Sequence, residues 1–318
     1  MQQILDQMVV AKLDVRIWGG RKKLRKEDLH LADGSVLPPE DLASLGSKKI
    51  TDPRELAEFH RLKKEGERTC LKVGTRFLGG FAIPKAAADS VKDELDRIGS
   101  SFESAKKAFL DRYDEAVESW VVKHPEFDAA IRKAVDPVEV VAAALSFDYT
   151  LFRVVSADDD SLDRKAVGLS DGLFREIAQD AQDFLERSLM GRAILTRKAL
   201  NPLRRIRAKL EGLSFLDHRV QPIVDMLDDG LSRIPLQGGL QSWHMGWLVA
   251  VMALLSDPEK IKQYGDGLLG SWDPWKAAAA VDPDDPPAAQ ESDNPDPADT
   301  DVEAEEEEEE EEADCLWF

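Results

Sequence analysis

The stretch VKDELDRIGSSFESAKKAFLDRYDEAVESW, Val91–Trp120, decides the fold class. Val91, Leu95, Ile98, Phe102, Ala105, Phe109, Tyr113, Ala116 and Trp120 recur at spacings of three and four, which lays one apolar stripe along an α-helix. The stripe predicts a single helix of about ten turns, which Pro125 ends. A stripe this narrow packs as a coiled-coil-like hairpin against another long helix. Leu173, Ile177, Ala181, Phe184 and Leu189, at helical spacing between Ser170 and about Leu200, supply a candidate partner. A second copy of the chain would satisfy the stripe equally, which leaves a homo-oligomer open.

Upstream, AKLDVRIWG sets Leu13, Val15 and Ile17 against Lys12, Asp14 and Arg16, the alternation of a half-buried strand. A basic stretch, GGRKKLRKEDL, and a Pro/Gly loop, ADGSVLPPEDL, follow it. TDPREL predicts a helix start, with Asp52 as cap and Pro53 at the first helical position. RFLGGFAIP reads as a second short strand broken at Gly79-Gly80, where the backbone turns or is closely approached. Downstream, DPVEVVAAAL, NPLRRIRAKLEG and SDPEKIKQYG each open with Asp or Asn before Pro, a repeated helix-start signature, and Gly212 stops the second. The expectation is a mainly α protein: an N-terminal α+β segment over 1–85, a helical bundle over 86–276, and a disordered acidic tail over 277–318.

That tail dominates the charge. Eighteen of the 62 acids fall in residues 281–318, which hold no Lys or Arg, so 44 acids face all 42 basic residues in the rest. A segment so acidic and poor in apolar residues cannot offset its ordering entropy. Cys70 and Cys315 are the only cysteines, which excludes a disulfide framework and matches a reducing compartment. The N-terminus lacks the pattern of a signal peptide, and the longest greasy run, Trp247–Leu255, is half a membrane span. A cytoplasmic protein with no membrane association is expected.

Motifs for catalysis are missing. His30, His60, His124, His218 and His244 share no metal-ligand spacing. No phosphate loop, dinucleotide fingerprint, nucleophile elbow or zinc-protease motif occurs. Asp158, Asp159, Asp160 and Asp163 lack the glycine and terminal glutamate of a calcium loop and read as a solvated turn. GTRFLGGF is glycine-rich without the lysine and helix start of a phosphate cradle. The expectation is a protein that is not an enzyme and uses no cofactor or metal.

Binding signals are stronger. Residues 187–210 carry Arg187, Arg192, Arg197, Lys198, Arg204, Arg205, Arg207 and Lys209 with no acid. A second patch holds Lys12, Arg16, Arg21, Lys22, Lys23, Arg25 and Lys26 against Asp14. Such clusters contact phosphates and release counterions, and Trp18 nearby offers a base-stacking ring. The competing reading pairs these cations with acids elsewhere and puts Trp18 in the core. At the other end, eight glutamates precede ADCLWF, so Leu316, Trp317 and Phe318 form a compact apolar anchor behind negative charge. This arrangement resembles the acidic tails of bacterial and phage single-stranded DNA-binding proteins. The likeness covers only about the last 14 residues. It implies a tip that recruits replication and recombination proteins while the acids compete with DNA.

The body carries a second likeness. LDVRIWGGRKKLRKEDLHL, LPPEDLASLGSKKITDP, RFLGGFAIP and FLDRYD, in that order, resemble a bacterial and phage family described as domain of unknown function 3150. The family implies no catalytic residues. Its mobile-element setting implies a MoxR-type AAA+ ATPase and a von Willebrand factor A protein as partners. Two readings therefore stand: a single-stranded DNA-binding protein whose acidic tail recruits partners, and an adaptor of such an ATPase.

Overall fold

The computed structural model describes residues 2–25, 46–155, 161–189, 197–234, 240 and 242–269. Lys26, His30, the Pro/Gly loop, Asp158–Asp160, Arg192 and the tip Leu316–Phe318 lie outside the described residues, as does the side chain of Asp163. Met1–Val281 form one compact unit.

The strands are β1 (Met8–Arg16), β2 (Arg21–Lys23), β3 (Ser47–Lys49), β4 (Thr75–Phe77), β5 (Gly80–Pro84) and β6 (Ser146–Phe152). The helices are α1 (Gln2–Asp6), α2 (Ala57–Val73), α3 (Ala88–Asp111), α4 (Tyr113–Lys123), α5 (Asp128–Arg132), α6 (Val138–Ala144), α7 (Ser161–Phe184), α8 (Asn201–Gly212), α9 (Val220–Arg233), α10 (Ser242–Leu255) and α11 (Pro258–Gly265). The protein is mostly helical, with a four-stranded antiparallel sheet in the order β4-β5-β1-β6 and a two-stranded ribbon of β2 and β3.

β1 organises the whole. Side chains alternate across a strand, and the first half of β1 is covered on both faces, whereas Lys12, Asp14 and Arg16 are exposed. Met8 and Val10 enter a core built with Leu173, Ile177, Leu203, Ile206, Leu227 and Trp247 from α7 to α10. Ala11 enters a second core with Phe59, Leu62, Leu95, Ile98, Phe102 and Phe109, and Val9, Leu13 and Val15 pack against it. β5 follows the same rule: Ala82 joins the first core, Phe81 and Ile83 the second. The β4–β5 hairpin closes through Leu78 and Gly79, with φ of 49° and 74°, the two positive values that a tight two-residue turn requires. A Cβ on Gly80 would sit 2.5 Å from the Ala11 carbonyl oxygen, so the next glycine serves the close approach of β5 to β1.

The long stripe is divided between two helices. Val91, Leu95, Ile98, Phe102 and Phe109 are buried on α3, but at Arg112 (φ −116°, ψ 13°) the helix stops and α4 begins. Beyond the break Tyr113, Ala116, Val117 and Val121 are buried, with Tyr113, Val117 and Val121 continuing Phe109 in steps of four, while Trp120 is half-buried. The partner of α3 is α2, not the segment after Ser170. α7 lies in the other core, packed on α8, α10 and α11. Among the proline starts, Asp52 accepts from the Arg54 N–H at 3.0 Å and Asp257 from the Glu259 N–H at 2.9 Å. Asn201 is the first residue of α8 rather than its cap, and Gly212 is its last. No described helix is long and apolar enough to cross a membrane.

Candidate nucleic-acid interface

The first basic patch folds into the β2–β3 ribbon, with Arg21 opposite Lys49, Lys22 opposite Lys48 and Lys23 opposite Ser47. Trp18, just before it, is 6% exposed and packs edge-on to Tyr113 at 5.6 Å between ring centroids. Its Nε1–H donates to Asp136 Oδ2 at 3.0 Å, and Lys22 Nζ meets the other carboxylate oxygen at 2.5 Å. Trp18 is therefore a core residue that leaves no ring face for a base. Asp136 does not cap α6 but ties the ribbon to the α5–α6 connection. Arg21, Lys23 and Arg25 are exposed. Lys48 and Lys49 were missed, although SKK is the cross-strand mirror of RKK.

The second patch is sorted by pairing. Arg207 donates through Nε and Nη2 to both oxygens of Asp228, each at 2.7 Å, and also meets Glu211. The hydrogen bonds from Arg207 hold the Asp228 carboxyl below its ordinary value. Lys209 is buried, with Nζ 2.8 Å from Glu176 Oε2. The other Glu176 oxygen accepts from Thr75 Oγ1 and the Arg76 N–H at 3.0 and 3.1 Å. This carboxylate clamps α7 to α8 and to the edge strand β4. Lys209 is thus paired inside the fold, whereas Arg207 is engaged in an ion-pair network at the surface. Arg197 is half-buried, whereas Lys198, Arg204 and Arg205 are exposed.

Arg204 and Arg205 face a cleft of about 620 Å³ between the C-terminal end of α2 and α8, lined by Lys72, Val73, Asn201, Arg204, Arg205 and Ala208. Its walls carry three cations and no acid. Among the described residues, Lys72, Arg204 and Arg205 make no side-chain hydrogen bond or ion pair, and Glu94 acts on Lys72 and Asp180 on Arg205 only through space. The cleft also takes in the first residue of α8, where the helix dipole adds positive potential. Phosphate or carboxylate oxygens would complement the charge of such a lining. Lys72 was invisible in the sequence as a member, since it arrives from a different helix.

Among the described residues, the histidines and Cys70 can be placed individually. No group of three or more His, Cys, Asp or Glu that could hold a metal occurs among the described residues. His124 packs on Trp120 at 4.3 Å, and His244 is buried. Cys70 is a buried thiol, pushed up to about 12 by loss of solvent and secondarily by Glu67.

No curated protein and no solved structure matches the chain. A family model does, described as protein of unknown function (DUF3150), over residues 5–257, which takes in the sheet, the ribbon, the cleft, the second core and all of the first core but Ile261. The chain belongs to the DUF3150 family.

Proposed function

We propose that the protein binds single-stranded DNA without catalysing a reaction, and serves replication or recombination of phage or mobile-element DNA. The observation that carries this reading is the α2–α8 cleft, where Lys72, Arg204 and Arg205 stand exposed with no acid among the lining residues. Cations left unpaired in a nearly neutral body are suited to the phosphate backbone, whose binding is electrostatic and independent of sequence. With Trp18 buried, the reading rests on phosphate contacts rather than on stacking. The eighteen acids of residues 281–318 compete with phosphate for these cations, and Leu316, Trp317 and Phe318 recruit replication or recombination proteins.

The test is fluorescence anisotropy of labelled oligo-dT against the full chain, residues 1–280, and the Arg204→Gln/Arg205→Gln variant, at several salt concentrations. Three cations on a single strand give a slope of log affinity against log salt of about −2, and loss of two arginines removes about 1.4 of it. Truncation raises the affinity. No binding by either form at low salt overturns the reading.

A second reading, an adaptor of a MoxR-type AAA+ ATPase with a von Willebrand factor A protein, has its own observation in favour. An apolar groove of about 370 Å³ runs between α10 and α11, lined by Ala250, Ala253, Leu254, Lys260, Gln263 and Leu269. Val249 and Leu268 are exposed. Absence of DNA binding together with a stable complex on co-purification with the ATPase would make this the function.

A further inference from the structure

We infer that the β2–β3 ribbon is an arm for double-helical nucleic acid, a second contact surface that rests on the nucleic-acid reading and extends it from single strands to duplexes. Directly opposed residues of an antiparallel pair share a face. Arg21 opposite Lys49, with Lys23 opposite Ser47, therefore places three cations on one side of the ribbon, and Lys22 and Lys48 on the other. Arg21, Lys23 and Lys49 are all exposed, and none of the three has an ion pair among the described residues. Like charges directly across a ladder destabilise it. Among the described residues no acid pairs with these three to offset that repulsion.

The ribbon is firmly held despite its repulsion. The Ile50 N–H donates to the Gly20 carbonyl at 2.9 Å, and Trp120 Nε1–H to the Lys49 carbonyl at 3.2 Å. Lys22 is fixed on Asp136, and Ile50 is fully buried. An anion that bridges Arg21 and Lys49 relieves a repulsion already built into the fold, with little reordering of backbone.

The missing rings choose the ligand. Contact with single strands combines cations with aromatic faces on which bases stack. The two tryptophans beside this ribbon do not supply such faces: Trp18 is buried, and Trp120 packs on His124 with Lys123 over its ring. Charge without stacking suits stacked bases in a double helix, whose phosphates are denser along the axis. A two-stranded ribbon also has the width that the major groove of about 12 Å admits.

The experiment measures anisotropy of the full chain with a labelled 20-base-pair duplex and with labelled oligo-dT. The variants are Arg21→Gln/Lys23→Gln/Lys49→Gln in the ribbon and Lys72→Gln/Arg204→Gln/Arg205→Gln in the cleft. The expected result is that the ribbon variant loses at least tenfold in duplex affinity and about 2.7 in salt slope, with oligo-dT binding unchanged. The cleft variant shows the reverse preference. Should the triple ribbon variant lose its cooperative melting, Lys23→Gln alone lowers the duplex slope by about 0.9. Duplex affinity that is absent or unaffected in the folded ribbon variant overturns the inference while leaving the oligo-dT reading intact. So does an equal loss on both probes, which would make the ribbon part of the single-strand site. Binding to neither probe by the wild-type chain or by residues 1–280 overturns both.

Discussion

Replacing Gly230 with alanine adds one methyl group at the most crowded point of the first core. Gly230 is buried on α9, and a Cβ there would lie 1.8 Å from Cζ2, 2.4 Å from Cε2 and 2.8 Å from Cη2 of Trp247, whose side chain is fully buried. Carbon atoms rest about 3.5–4.0 Å apart, so the indole must retreat by roughly 1.7 Å or α9 and α10 must part. Overpacking of this kind costs about 3 kcal/mol, while alanine in a helix interior returns about 1 kcal/mol. The net loss is about 2 kcal/mol, a fall of roughly 4–8 °C in Tm for a domain of this size. Gly168→Ala is the control: Gly168 is exposed on α7 with nothing within 4 Å of its Cβ position. That variant keeps the propensity gain and melts slightly higher. Both are followed by far-UV circular dichroism on heating, with urea titration to convert midpoints to free energy. Trp247→Phe added to Gly230→Ala should recover at least about 1 kcal/mol relative to additivity. If Gly230→Ala melts at or above the wild type, like Gly168→Ala, then propensity alone decides and the packing argument fails.

Two further outcomes follow from groups away from the cleft. In a Cys315→Ser chain, Cys70, with its thiol pushed up to about 12 and fully buried, should resist a thiol reagent at pH 8 until urea unfolds the body; labelling within minutes in native buffer would contradict its burial. Burial alone would raise the Asp217 carboxyl, but bonds from the Arg219 side chain and backbone N–H outweigh it and hold the group below 3.8. A depressed carboxylate contributes stability above its unfolded value, and that contribution is lost as pH falls through the folded one. Asp217→Asn should therefore lower the urea midpoint at pH 7 and flatten its decline below about pH 4, and an acid decline as steep as the wild type's would assign the loss to other groups.

What was legible in the sequence was whatever a local period can carry. The alternation of Leu13, Val15 and Ile17 gave β1, and the three-and-four spacing from Val91 gave the helical class. The same kind of alternation was present in Phe147, Tyr149 and Leu151 against Asp148 and Thr150, the strand β6 that was not foreseen. Pairing of helices was not legible, because a stripe states that a partner is needed without naming it. The helix that covers α7 is partly α10, which is apolar on all sides and so offers no period to match. The pairing of the basic residues was illegible for a related reason. A count of basic residues includes Arg207 and Lys209, but Asp228 and Glu176 reach them only in the fold. Lys72 joins the cleft, and Lys49 the ribbon, from segments distant in sequence from the basic runs.

β1 acts as a party wall. Met8 and Val10 belong to one core, and Val9, Ala11, Leu13 and Val15 to the other, so one residue inserted at its start would exchange the tenants on both sides at once. Neither core can lose this strand and leave its neighbour sealed, which couples their melting into one event. The cleft is a seam of the same building, with Lys72 carried by α2 of the second core and Arg204 by α8 of the first. The spacing of its charges is therefore a gauge of how the two halves are seated, and a load placed on either half is read out where phosphate would bind.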